Sequence, residues 1–212
     1  MENRYYLIVG ILVFLVVAIS GCTSPGSGSN GNQTTDVQGV KNIALTGPGT
    51  LIIEQGDNES LSVNASDSQK SNIDISKSGN VLTITNRNSG GNDAVKFHLT
   101  VKSLESLTVT GAGEINATKI NTSTLTVTAN DGSMNLAGKV STLTATINGP
   151  GKISGKNLEV QIASITVNGA GKATLDVVEK LQAVINGAGS VTYLGNPQVE
   201  KQLNGQGTVT PG

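Results

Sequence analysis

The sequence predicts an all-β protein wound as a coil of stacked short strands, with about 18–20 residues per turn and a more irregular β portion ahead of the regular coil. Three observations predict it. A glycine–small–glycine phrase recurs at a nearly fixed interval. Apolar residues keep constant positions between the copies. No stretch beyond the N-terminal apolar run has a helical period, whereas alternation with period two is widespread. Counted from residues 111, 130, 149, 169, 187 and 205, the copies follow one another at steps of 19, 19, 20, 18 and 18. A repeat of that length flanked by strand patterns is the mark of a solenoid.

The chain opens with an apolar run over residues 7–19, broken only by Gly10 and preceded by Arg4. It suits the core of an export signal and is short of the roughly 20 residues that span a bilayer. Ile19-Ser20-Gly21-Cys22 resembles the lipobox of prokaryotic lipoproteins, in which the signal is cut before a lipid-bearing Cys. Cys22 is the only cysteine, so it has no partner for an internal disulfide. The reading is a signal peptide over residues 1–21 and a flexible Ser/Gly/Asn tether over 22–38. Residues 39–212 form the folded domain. The expected location is the outer face of a prokaryotic membrane, at the cell surface or in the periplasm.

Residues 40–100 read as strand after strand. Ile43-Ala44-Leu45 runs into Gly47-Pro48-Gly49, and Leu51-Ile52-Ile53 follows. Turns fall at Gly56-Asp57-Asn58, Ser78-Gly79-Asn80 and Ser89-Gly90-Gly91-Asn92. From Leu104 the repeat takes over. Its corners are Gly111-Ala112-Gly113, Asn130-Asp131-Gly132, Gly149-Pro150-Gly151, Gly169-Ala170-Gly171, Gly187-Ala188-Gly189 and Gly205-Gln206-Gly207. Two residues after each comes an apolar position: Ile115, Met134, Ile153, Ala173, Val191, Val209. A further apolar site is expected at Ile120, Val140, Val160, Val177 and Val199. Glycine within a strand costs about 0.5–1 kcal/mol against alanine. Its use twice per turn predicts corners that need positive φ or a close approach to the turn below. The preceding Asn148, Asn168, Asn186 and Asn204 then stack as an amide ladder.

The glycine repeat, with Ser190-Val191-Thr192-Tyr193-Leu194-Gly195-Asn196-Pro197, resembles the auto-transporter adhesin head GIN domain family of prokaryotic envelope proteins over residues 40–209. Tyr193, Gly195 and Pro197 are the most specific part of the resemblance. It implies a right-handed, single-stranded parallel β-helix and a surface binding role, and it carries no catalytic residues. Asn130-Asp131-Gly132, which lacks the first glycine, and Gln206 depart from the pattern.

Net charge is −1 and there is no Trp, which argues against nucleic acid as a partner. Glu114, Asp131, Glu159, Asp176, Glu179 and Glu200 form no expected cluster apart from a loose Glu179–Glu200 pair. His98 is the sole histidine and is expected on a strand surface. No metal or cofactor is expected. Lys152 and Lys172 are expected one turn apart, their side chains splayed into solvent. Asn-x-Ser/Thr triplets at Asn32, Asn58, Asn64, Asn116 and Asn121 are at chance frequency. The functional expectation is a lipid-anchored, non-catalytic module for glycan, cell-wall polymer or an envelope protein. A carbohydrate-active β-helix and a structural scaffold subunit are the alternatives.

Overall fold

The computed structural model describes residues 36–88 and 95–212. The expected signal peptide, the expected tether up to Thr35 with Cys22, and the expected turn at residues 89–92 lie outside the described residues. The described part is a parallel β-solenoid of about six turns.

The regular coil consists of β7 (Ser106–Thr110), β8 (Gly113–Asn130), β9 (Ser133–Asn148), β10 (Lys152–Gly169), β11 (Lys172–Gly187), β12 (Ser190–Leu194), β13 (Gln198–Asn204) and β14 (Thr208–Pro211). All pair parallel, each turn on the next. The long strands β8–β11 wrap two sides of the coil. They bend where the register slips, at Ala117/Ile120, Ser154/Asn157 and Gly155/Glu159. Lys119 (φ 56°) and Gly138 (φ 136°) supply positive φ at that bend.

Because alternate residues of a strand face opposite ways, the core is a set of files. One runs Ile115, Met134, Ile153, Ala173, Val191, Val209. Another runs Leu107, Val127, Ala145, Ile165, Ala183 and is fully buried. Fully burying each Val, Leu or Ile contributes about 1.5–3 kcal/mol. The third apolar station is less regular than the sequence suggests. Ile120 faces Gly138, and Val199 stands over Leu181 in a different file, because the bend absorbs extra residues.

The early Gly47-Pro48-Gly49 copy is a full member of the column. β1 (Asn42–Thr46) and β2 (Gly49–Gln55) lie directly beneath β7 and β8, with Gly49 opposite Gly113. Below them are β5 (Val81–Asn86) and β6 (Lys96–Val101), also parallel. The spatial order of turns is therefore β5–β6, β1–β2, β7–β8. The chain builds its second level first, lays a turn beneath it, and returns past residues 102–105 to continue above. Gln55 marks that return, with Nε2 donating to the carbonyls of Lys102 and Asn121.

β3 (Ser60–Asn64) and β4 (Ile73–Ser78) add antiparallel to β6 and β5, and Val63, Ala65, Ile73 and Ile75 pack against the core from them. Between them α1 (Asp67–Lys70) is a single helical turn that periodicity did not predict. It rests on local capping, with Gln69 Oε1 accepting from the Ser66 amide at 2.9 Å.

Candidate binding faces of the column

The two glycines of each corner serve different ends. Gly47, Gly111, Gly149, Gly169, Gly187 and Gly205 all have positive φ. At Gly187 (φ 136°) a Cβ would sit 2.6 Å from the Gly169 carbonyl oxygen. Asp131 holds the same slot with φ 66°, a conformation Asp tolerates better than most residues, so the corner survives without its glycine. The second glycines (Gly113, Gly132, Gly151, Gly171, Gly189, Gly207) point inward. A Cβ on Gly189 would lie 2.5 Å from Val167 Cγ1. The residue between the two glycines is exposed at Ala112, Pro150, Ala170, Ala188 and Gln206. The first corner is further fixed by buried Asn86, whose Nδ2 donates to the Pro48 carbonyl at 2.6 Å. No sequence pattern marked that residue.

Beside the corners the amides bond in series. Asn204 Nδ2 donates to Asn186 Oδ1 (2.8 Å), Asn186 to Asn168 (2.8 Å), Asn168 to Asn148 (2.9 Å) and Asn148 to Asn130 (2.7 Å). Asn130 then donates to Thr110 Oγ1 at 3.3 Å. The ladder thus includes Asn130 and ends on a threonine.

On the same sheet, two more outward files run parallel to this ladder. One is Ser106, Thr126, Thr144, Ser164, and the other is Thr108, Thr128, Thr146, Thr166. Like residues stack at the strand spacing of about 4.8 Å. Across β7–β10 these two files and the amide ladder contain no charged residue. Among the described residues, the hydroxyls of the two Ser/Thr files make no hydrogen bond to the protein. The face is a regular array of free hydroxyls, and the amide ladder at its edge uses one donor of each amide and the side-chain oxygen of every rung but Asn204.

The adjoining sheet is different. Its first outward file reads Lys96, Thr50, Glu114, Ser133, Lys152, Lys172, Ser190, Thr208. Lys152 and Lys172 are in register on neighbouring turns. His98 is exposed on β6, opposite Ser62. The acids depart from the sequence expectation. The carboxylates on adjacent turns are Glu159 and Asp176, brought into register by the slip after Gly155, which counting along the chain misses. Glu200 stands over Gln182, not Glu179. Glu159 takes Lys139 as counter-ion at 3.4 Å. Among the described residues no group of three or more His, Cys, Asp or Glu is placed to hold a metal. The Asp36 carboxyl is held below the usual range, first by the Gln38 amide and then by Lys77.

Tyr193, Gly195 and Pro197 fall at the far tip. Tyr193 stands over Leu175, partly buried against the core. At Gly195 (φ 87°) a Cβ would meet the Val177 carbonyl oxygen, so this turn closes tightly on the level below. The last inward file of β13 carries Val199, Lys201 and Leu203 over Leu181, Ala183 and Ile185. Lys201 thus tops a file that is otherwise wholly apolar.

Residues 40–197 match the family described as "Putative auto-transporter adhesin, head GIN domain". The chain belongs to this family. The match spans the column from its entry to the Tyr193–Pro197 turn. Among solved structures, a "putative adhesin" from Bacteroides fragilis is similar at 19% identity, over 85% of this chain and 94% of that one, with a TM-score of 0.66. A "putative adhesin" from Parabacteroides merdae has 18% identity over 84% and 93% of the two chains and a TM-score of 0.49. A "putative lipid binding protein" from Parabacteroides distasonis has 18% identity over 86% and 98%, also at 0.49. The first likeness shows the shared fold. No curated protein matches the chain.

Proposed function

We propose that this head GIN domain protein is a lipid-anchored, non-catalytic module of the cell envelope that binds extracellular glycan along its column. The observation that carries the reading is the uncharged face of β7–β10, with its two files of unengaged Ser and Thr hydroxyls. A sugar residue in an extended glycan is about as long as the strand spacing. A polymer lying along the axis would meet the same hydroxyl pair at each turn. The family's adhesin description supports the same class of function. Against hydrolysis stands the engagement of Glu159, of the in-register pair Glu159–Asp176, by Lys139 at 3.4 Å, because a glycosidase needs both carboxyls facing the scissile bond.

Cys22 is the proposed lipid site. Cys22→Ser should move the protein from the membrane fraction to the soluble one or leave an uncut precursor, and unchanged membrane retention would refute it. For the face, the full chain in neutral detergent is screened against neutral and charged glycans, beside an assay for released sugar. Thr128→Asp with Thr146→Asp should abolish capture of a neutral glycan. Capture unaffected by the pair, or sustained sugar release by the purified protein, would overturn the reading.

A further inference from the structure

The Lys152–Lys172 pair lies on the other sheet and is independent of the hydroxyl face. Like charges on directly neighbouring strands are destabilising. Four other lysines of the column have an acid beside them: Lys139 with Glu159, Lys41 with Glu105 at 2.9 Å, Lys180 with Glu200 at 2.8 Å, and Lys119 with Glu54. Lys152 and Lys172 are exposed and, among the described residues, in no ion pair. The nearest acid in their file, Glu114, lies two turns below Lys152 and accepts from Asn135 Nδ2 at 2.9 Å. Asp131 is turned onto the corner, its Oδ1 against Gly149. The file beside the lysines offers the hydroxyls of Ser154, Thr174 and Thr192. Two uncompensated positive charges one turn apart, with hydroxyls beside them, complement a chain that carries one negative charge per step.

We infer that the Lys152–Lys172 file is a docking site for an acidic polysaccharide lying along the column axis. A glycan with a carboxylate on successive sugars presents one charge per strand spacing, in step with the two lysines. Lysine suits this partner. It is a point charge on a flexible stem and imposes no bidentate geometry. The neighbouring hydroxyls hydrogen-bond the sugar hydroxyls between the carboxylates.

The test uses the full chain in neutral detergent with polygalacturonate as probe at low salt. Lys152→Gln/Lys172→Gln is compared with Lys96→Gln/Lys102→Gln, which removes the same charge from lysines that are also unpaired. The expected result is salt-sensitive capture, weakened about tenfold or more by the first pair and not by the second. The urea midpoint of the first pair should stay the same or rise, because a like-charge contact is relieved. No capture by the parent, or equal loss in both pairs, overturns the inference. So does Lys152/Lys172-dependent binding of anionic vesicles or polyphosphate without binding of polygalacturonate. Failure of the neutral-glycan screen would leave this result standing, since the two sites share no residue.

Discussion

Gly187→Ala tests the corner with a single added carbon. Two costs combine. The backbone there has φ 136°, outside the range of L side chains, and such strain costs about 1–3 kcal/mol. The new Cβ also lies 2.6 Å from the Gly169 oxygen and 3.1 Å from its Cα. Both neighbours are backbone, so relief requires β10 and β11 to part locally, at about 1–3 kcal/mol by analogy with overpacking. The sum is about 2–6 kcal/mol, a large share of a domain's stability. In urea, with m of about 2 kcal/mol per molar, the midpoint should fall by about 1–3 M. Ala188→Val is the control. Ala188 is exposed one residue away, and the change should stay within about 0.5 kcal/mol. Equal midpoints for the two variants would refute the stacked-corner argument.

In the amide ladder, Asn148→Ala should cost about 1–2 kcal/mol, because it breaks a part-buried bond to Asn130 and an exposed one from Asn168. Asn204→Ala, which breaks one exposed bond at the end, should cost less, and urea unfolding would reveal an inverted order. Asp131→Gly should raise stability by about 0.5–1 kcal/mol, seen as a higher thermal midpoint, since it relieves a left-handed conformation on a non-glycine residue. Lys201→Val should promote self-association at the tip, seen by light scattering. A charge pointing inward on an edge strand is a device against further pairing, and a strictly monomeric variant would deny Lys201 that part.

The features legible in the sequence are those with local causes. The corners could be read because glycine at a fixed interval has few other uses. The core files followed from alternation, and the amide ladder from asparagine beside each corner. The order of the first turns was not legible. Asn42 pairs with Val81 and Ser106, far along the chain in both cases, and nothing near any of the three residues announces it. The Glu159–Asp176 register was hidden by a slip in the pairing, and Asn86 by being one polar residue among many in β-rich sequence. The hydroxyl face was half visible. Threonine is a common strand residue, and only the register shows that the threonines form files free of charge.

The inverted order of the first turns bears on how the protein carries mechanical load. β1 is gripped along its length by β5 on one side and β7 on the other. Tension directed along β1 has to shear both ladders together before the strand yields. At the opposite tip β13 is held on one side only, by β11, and a sideways pull there opens one rung at a time. The column is thus strong where a tether would enter and weak at its far end. A protein held by its N-terminus against flow would keep its footing while its outermost strands opened first.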